Sequence, residues 1–131
     1  MSAAQEDENR RLLRARDAMD RSYRAPLDVD ALARVAFMSE AHFIRRFKAV
    51  FGETPGRYLA RRRIERAMSL LRRTDRTVAE VCNDVGFTSL ATFSRRFKEI
   101  VGQTPTDFRA GGAGVTGVVP TCFEKAWTRP H

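Results

Sequence analysis

The sequence predicts an all-α fold in which one helical pattern occurs twice. The stretch FMSEAHFIRRFKAVFGETP at 37–55 recurs fifty residues later as FTSLATFSRRFKEIVGQTP at 87–105. Apolar residues recur at helical spacing through both copies and through the segment between them, and no convincing alternating strand occurs there. Two small helical subdomains of similar build, separated by a connecting helix, are therefore expected.

Helices one and two are predicted from caps, breakers and apolar spacing. Good helix formers at 8–23 form the first helix, which ends before Pro26, and Asp28 can cap a short second helix over 29–36. The residues expected to be buried are Leu12, Ala15, Met19 and Tyr23 in the first helix and Leu32, Val35 and Ala36 in the second. These residues give each helix one apolar face.

A third helix follows a turn of about three residues at 37–39. Ser39 can cap this helix, and Gly52 stops it. Two helices joined by so short a turn form a helix-turn-helix, in which the second helix enters the major groove of DNA. At about 100° per residue, one side of the third helix carries Phe43, Phe47, Val50 and Phe51, and the opposite side carries Ala41, Ile44, Arg45 and Lys48.

A long fourth helix is predicted between the two copies. Thr54 and Pro55 give it a cap and a proline at its first position, and an apolar stripe continues to about Arg73. The apolar stripe consists of Ala60, Ile64, Ala67, Met68 and Leu71. The other face is expected to carry a basic stripe, made of Arg57, Arg61, Arg62, Arg63, Arg66, Arg72, Arg73 and Arg76. Its position between two repeats favours a nucleic-acid partner over a merely solvated helix face.

The signals of the first copy repeat in the second. Thr77 opens a capping box for a fifth helix, which ends at Gly86. Ser89 caps a sixth helix that Gly102 stops, and a last short turn follows. The inward residues of the sixth helix are Phe93, Phe97, Ile100 and Val101, and its outward residues are Ala91, Ser94, Arg95 and Lys98.

The charge balance favours a polyanionic partner. The chain holds 24 Lys and Arg residues against 16 Asp and Glu residues, which gives a net charge of +8. It contains no apolar run of the roughly 20 residues that a membrane span needs, and its start, MSAAQEDENRR, lacks the apolar core of a signal peptide. A cytoplasmic protein with no membrane partner is therefore expected.

Enzyme chemistry and metal binding are disfavoured. Cys82 and Cys122 lie far apart and, with only His42 and His131 available, they form no zinc-binding pattern. The sequence also lacks a Gly-rich phosphate loop, a nucleophile elbow and a pair of carboxylates in a plausible pocket. We therefore expect a protein that is not an enzyme, that uses no cofactor or metal, and whose cysteines are reduced structural thiols.

The outward faces of the third and sixth helices carry the residues expected to contact DNA. Arg45 and Arg95 stand in the same place in the two copies, where the two-pronged guanidinium can reach O6 and N7 of guanine. His42 is expected to pack, partly buried, rather than to bind a metal. The residues expected at the phosphates are Ser39, Arg46, Lys48, Ser89, Arg96 and Lys98, with a contact inside the chain as the alternative for Arg46 and Arg96.

The second copy resembles the signature of a known family. The segment GFTSLATFSRRFKEIVGQTPTDFR is similar to the signature of the AraC/XylS family of bacterial transcription regulators, and residues 9–109 resemble its complete DNA-binding domain. The matching residues are Gly86, Phe87, Ser89, Phe93, Arg95, Phe97, Lys98, Gly102, Thr104, Pro105, Phe108 and Arg109. The resemblance implies seven helices, with the helix over 57–73 rigidly joining two helix-turn-helix units that read two adjacent major-groove segments.

The resemblance also implies which positions read bases. They are Ala41, Ile44 and Arg45 in the third helix and Leu90, Ala91, Ser94 and Arg95 in the sixth. Ala41 is smaller than the reader that some members carry at this position. Because Ile44 and Leu90 are apolar, contact with thymine methyl groups is expected from them in place of hydrogen bonds.

Together these observations predict a sequence-specific, double-stranded-DNA-binding transcription regulator, with RNA polymerase as a further partner. Because one chain supplies two readers, we expect it to bind DNA as a monomer. A DNA-repair protein is one alternative, since some carry a similar domain, but it needs a cysteine cluster that Cys82 and Cys122 do not supply. A non-specific architectural DNA binder is the other alternative, and competition with unrelated DNA separates it from a regulator.

The predicted DNA-binding domain covers residues 1–110. Its parts are a first subdomain at about 9–53, the connector at 55–73 and a second subdomain at about 77–110, and a Gly-rich tail follows at 111–131. Many members of the family carry an effector-binding domain upstream, for which the residues before Asp28 leave no room. A stand-alone regulator or a fragment of a longer one is expected, and the initiating Met and polar start favour the former.

Overall fold

The structure, a computed structural model, describes residues 2–111 as seven α-helices. They are α1 (Ala3–Arg21), α2 (Val29–Val35), α3 (Glu40–Phe51), α4 (Pro55–Arg73), α5 (Val78–Asp84), α6 (Leu90–Val101) and α7 (Pro105–Gly111). No strand occurs within residues 2–111, and the predicted all-α fold is confirmed. The tail predicted over 111–131 lies outside the described residues, except for Gly111 at the end of α7, and so do Cys122 and His131.

The chain divides into two compact units, each of which contains one helix-turn-helix. Unit 1 ends at Leu59 and unit 2 begins at Ala60, so the division falls within α4. The helix-turn-helix of unit 1 is the pair α2 and α3, and that of unit 2 is the pair α5 and α6. The two helix-turn-helix motifs predicted from the repeat are therefore confirmed.

A column of aromatic rings forms the centre of unit 1. The ring centroid of Phe47 lies 5.6 Å from that of Phe43, 4.6 Å from that of Phe51 and 5.8 Å from that of Tyr58. The other buried residues of this core are Leu12, Ala15, Met19, Leu32, Ala33, Ala36 and Leu59. Because the three phenylalanines of α3 recur every four residues, they turn one face of that helix into the core.

Unit 2 repeats the aromatic column. The ring centroid of Phe93 lies 5.3 Å from that of Phe87 and 5.8 Å from that of Phe97, and Phe97 lies 5.5 Å from Phe108 of α7. Other buried apolar residues of unit 2 are Ala60, Ile64, Ala67, Leu71, Val81, Cys82, Val85, Ile100 and Val101. Phenylalanines at the same positions of the repeat therefore orient α3 in the core of unit 1 and α6 in the core of unit 2.

The predicted helix signals act where expected. The side-chain oxygen accepts a hydrogen bond from the backbone N–H three residues later at Asp28, Ser39, Thr77 and Ser89. Gly52 and Gly102 end α3 and α6 with φ angles of 84° and 97°, which L side chains rarely adopt. The predicted start of helix one at residue 8 is wrong, since Ser2 and Gln5 form a capping box that begins α1 at Ala3.

Three burial predictions are wrong. Val35 is 41% exposed and Val50 is 36% exposed, because both lie at the edge of the buried face of their helix, where spacing alone does not separate inside from outside. The sequence predicts Arg61 in the basic stripe of the fourth helix, but its side chain is 0% exposed. Its Nη1 lies 3.6 Å from Oε2 of Glu65, and this ion pair offsets part of the cost of burying the guanidinium charge.

The turns of the two helix-turn-helix motifs differ by one residue. One residue in each turn is left-handed, Phe37 with φ 54° and Gly86 with φ 98°. The N–H of the next residue donates to the carbonyl oxygen five residues earlier. Met38 donates to Ala33 at 3.0 Å, and Phe87 donates to Cys82 at 3.1 Å. Met38 is therefore the counterpart of Phe87 in the fold, although the sequence aligns Phe37 with Phe87. Accordingly Phe37 is 74% exposed, whereas Phe87 is 8% exposed.

Replacing Phe37 by Gly should stabilise unit 1. Phe37 holds a conformation that costs an L residue about 1–2 kcal/mol, and its exposed ring contributes little burial in return. After the entropy cost of Gly, we expect the free energy of unfolding to rise by up to about 1 kcal/mol, measured by urea denaturation. The matched variant Gly86→Ala should lower the stability of unit 2 by about 1 kcal/mol or more. A Phe37→Gly variant that unfolds at lower urea would contradict this account of the turn.

Candidate nucleic-acid interface

The outward face of α3 presents the residues predicted to contact DNA in unit 1. Ala41, Arg45 and Lys48 are exposed, Ile44 is half-buried, and Phe43 lies on the opposite side in the core. Within residues 2–111, neither Arg45 nor Lys48 makes a side-chain hydrogen bond or ion pair. Both cations of this face are therefore available to an outside partner.

The outward face of α6 has the same pattern with one added contact. Its predicted contact residues are Leu90, Ala91, Arg95 and Lys98, which are exposed, and Ser94, which is half-buried. The Arg95 Nε lies 3.7 Å from Oε1 of Glu99, one turn further along the helix. Because both side chains are well exposed, this ion pair contributes little and does not prevent Arg95 from binding elsewhere.

Ser39 and Ser89 stand at the first turn of these two helices. The Oγ of Ser39 accepts a hydrogen bond from the His42 N–H, and the Oγ of Ser89 accepts one from the Thr92 N–H, each at 3.2 Å. The hydroxyl hydrogen of each serine is left to donate. A helix N-terminus with free donors favours an anion, so both positions suit a phosphate oxygen.

Glu8 of α1 is a charged residue next to α3 that no sequence pattern singles out. Its Oε2 lies 2.8 Å from Nε2 of His42, and its Oε1 lies 2.6 Å from Nε of Arg46. Because an ionised carboxylate only accepts, both nitrogens donate to it. These hydrogen bonds, from His42 first and Arg46 second, hold the pKa of Glu8 below its ordinary value. His42 is half-buried as predicted, but its contact is polar.

The arginines of the predicted basic stripe are largely engaged within unit 2. Arg62 Nη1 lies 2.8 Å from Glu65 Oε1, and Arg76 forms an ion pair with Asp84. The Cζ of Arg63 lies 5.7 Å from the ring centroid of Phe87, and the Cζ of Arg72 lies 4.7 Å from that of Phe108. Burial lowers the pKa of Arg63. The stripe is therefore not one free basic surface: its exposed members are Arg66, Arg72, Arg73 and Arg76.

Among residues 2–111, no group of three or more His, Cys, Asp or Glu side chains could hold a metal ion. Cys82 is buried and its Sγ lies 3.8 Å from the carbonyl oxygen of Phe87. In the described helices, none has both the length and the apolar character that a bilayer span requires.

Comparison with known proteins identifies the family. The family described as "Helix-turn-helix domain" matches residues 32–111. The chain is also similar to a transcriptional regulator from Chromobacterium violaceum of the AraC-type DNA-binding-domain class, with 27% identity, 87% of this chain and 99% of that chain covered, and a TM-score of 0.69. The chain belongs to the AraC-type helix-turn-helix family. The resemblance drawn from the second copy is confirmed.

The chain is also similar to two other transcription proteins. The DNA-binding domain of AdpA, a global transcriptional factor solved in complex with a target DNA, is 32% identical, with 76% of this chain and 90% of that chain covered, and a TM-score of 0.69. The MmsAB operon regulatory protein of Pseudomonas aeruginosa is 39% identical over 62 residues. That match covers 47% of this chain, and the chain spans only about a fifth, 20%, of the length of the curated relatives it matches.

Acid should remove part of the stability of unit 1 through Glu8. Its lowered pKa means that the folded state holds the ionised form more tightly than the unfolded state does, so the stabilisation is present above about pH 4.5 and is lost as pH falls through the lower, folded pKa. In urea titrations, Glu8→Gln should lose less unfolding free energy than the wild type as the pH falls from about 5 to about 3. Glu6→Gln, which removes an exposed carboxylate of the same helix, is the matched control. Equal losses in all three proteins would show that Glu8 adds nothing.

Proposed function

We propose that this protein is a sequence-specific, double-stranded-DNA-binding transcription regulator that reads one major-groove segment with α3 and another with α6. The observation that carries the proposal is the repeated geometry of these helices. Phe43 and Phe93 are fully buried, and two residues later Arg45 and Arg95 point outward. The complex of the similar AdpA domain with its target DNA supports the assignment. The proposal involves no cofactor and no enzymatic step.

The base-reading set is proposed to be small residues around one arginine in each helix. Arg45 and Arg95 are suited to bidentate hydrogen bonds with guanine O6 and N7. Small and apolar neighbours allow close approach to the base edges and contact with thymine methyl groups. These neighbours are Ala41 and Ile44 in α3 and Leu90, Ala91 and Ser94 in α6.

Phosphate contacts are proposed to position each helix without reading sequence. Exposed lysines further along each helix, the capping serines at its start and, in α6, the half-buried Arg96 provide the donors. These residues are Ser39 and Lys48 in unit 1 and Ser89, Arg96 and Lys98 in unit 2. Arg46 stands apart, since its Nε already donates to Glu8.

The two reading surfaces are unequal, so the DNA site is proposed to be asymmetric. The copies share their phenylalanines and glycines but differ at Glu40 and Leu90, at His42 and Thr92, and at Ile44 and Ser94. A dimer of identical readers selects a palindrome, whereas one chain with two unlike readers selects two unlike elements. As a bacterial transcription regulator it would act in the cytoplasm, together with RNA polymerase.

Removing each arginine should relax one element of the site. Arg45→Ala and Arg95→Ala should each cost about 1–3 kcal/mol on the preferred site if the guanidinium binds guanine in bidentate fashion. The measurement is selection of preferred sequences from random DNA with the wild type and each variant. The two variants should lose preference at different base pairs, whereas Lys48→Ala and Lys98→Ala should weaken all sequences alike. Loss at the same base pairs in both Arg variants would contradict the two-reader assignment.

One protein chain should occupy one site. Because each chain carries both readers, a second copy is not needed to complete recognition. Analytical ultracentrifugation with a minimal duplex obtained from the selection should show one protein per duplex across a range of protein concentrations. A stable complex of two proteins on that minimal duplex would argue against monomeric binding.

A further inference from the structure

Glu8 of α1 contacts two basic side chains of α3, the helix proposed to read DNA in unit 1. One carboxylate oxygen receives a hydrogen bond from His42 at 2.8 Å, and the other receives one from Arg46 at 2.6 Å. The Glu8 side chain is 19% exposed, against 41% for His42 and 35% for Arg46, so the carboxylate is the best protected partner of the three. Hydrogen bonds in which both partners are charged are among the stronger ones in proteins.

Unit 2 holds the corresponding positions differently. Arg96, the counterpart of Arg46, lies 3.5 Å from a carboxylate oxygen of Glu99 on its own helix, and Glu99 is 43% exposed. Thr92, the counterpart of His42, has a hydroxyl in place of the imidazole. An exposed pair within one helix is weak and exchanges readily with a phosphate oxygen. The cation of α6 is therefore easily released to DNA, whereas the cation of α3 is held by another helix.

We propose that Glu8 determines the sequence selectivity of unit 1 by holding Arg46 and His42 away from the DNA phosphates. This proposal rests on the proposed function. Phosphate contacts raise affinity for all sequences alike, and base contacts raise it only for the preferred one. By keeping Arg46 from the phosphates, Glu8 lowers non-specific binding, so that the base contacts of Arg45 and its neighbours contribute a larger share of the affinity. Glu8 touches no DNA itself and acts as a positioning residue.

The test compares wild type and Glu8→Gln on the preferred duplex and on an unrelated duplex over a series of salt concentrations. The neutral amide holds Arg46 less tightly, so affinity for the unrelated duplex should rise about fivefold, as one added exposed ion pair allows. The plot of log affinity against log salt should steepen by about 0.9 for each phosphate gained. The ratio of specific to non-specific affinity should fall.

Two control variants separate this role from simple changes in charge or folding. Glu6→Gln adds the same net charge on the exposed side of α1 and should leave the salt slope unchanged. Arg46→Ala in the wild-type background should also leave the slope unchanged, whereas Arg46→Ala in the Glu8→Gln background should restore the wild-type slope. Circular dichroism of each variant confirms that the helices are intact.

Each outcome decides the proposal. If Arg46→Ala alone flattens the salt slope by about 0.9, Arg46 already binds a phosphate and the proposal is wrong. If Glu8→Gln weakens binding to both duplexes without changing the slope, Glu8 serves the fold alone and the proposal is equally wrong. Failure of the proposed function gives a different result: the wild type itself would not distinguish the preferred duplex from the unrelated one.

Discussion

Burial of the phenylalanines in α3 and α6 is the constraint on which the candidate interface depends. Phe43, Phe47, Phe93 and Phe97 are all fully buried. Because a helix turns by about 100° per residue, a residue two places after a buried phenylalanine points to nearly the opposite side. Arg45 occupies that place in unit 1. The direction of its side chain is therefore a consequence of core packing, and a core change that rotates the helix would turn the reading surface away.

The two units meet this constraint with unlike turns, so likeness in sequence overstates likeness in structure. Unit 2 uses Gly86 at the left-handed position, where the absence of a Cβ removes strain. Unit 1 places Phe37 there, and Nη1 of Arg11 donates to the carbonyl oxygens of Ala36 and Phe37 at 2.9 and 3.0 Å. Since an unfavourable backbone conformation persists only where its surroundings hold it, the contact from α1 accounts for the strained turn of unit 1.

Local signals in the sequence predicted the fold. They did not predict contacts between residues that lie far apart in the sequence. Caps such as Ser39 and stops such as Gly52 act within a few residues of themselves, so they were placed correctly from sequence. The pairing of Glu8 with His42 joins residues 34 positions apart and depends on how α1 packs beside α3. Spacing likewise placed Arg61 on the wrong face, because an arginine with an acidic partner can be buried at a position where a charge is not expected.

The net charge of +8 does not show which cations can contact DNA directly. Long-range attraction to DNA depends on the summed charge of the protein and is screened beyond a Debye length of about 8–10 Å. An ion pair within the protein adds nothing to that sum. Direct contact requires a donor that no internal acceptor holds. In α3 the carboxylate of Glu8 already accepts hydrogen bonds from Arg46 and His42, which leaves Arg45 and Lys48 as the cations without a partner in the described chain. In the proposed DNA complex, Glu8 holds Arg46 and leaves fewer phosphate donors on α3, so base contacts carry a larger share of the binding energy of that helix.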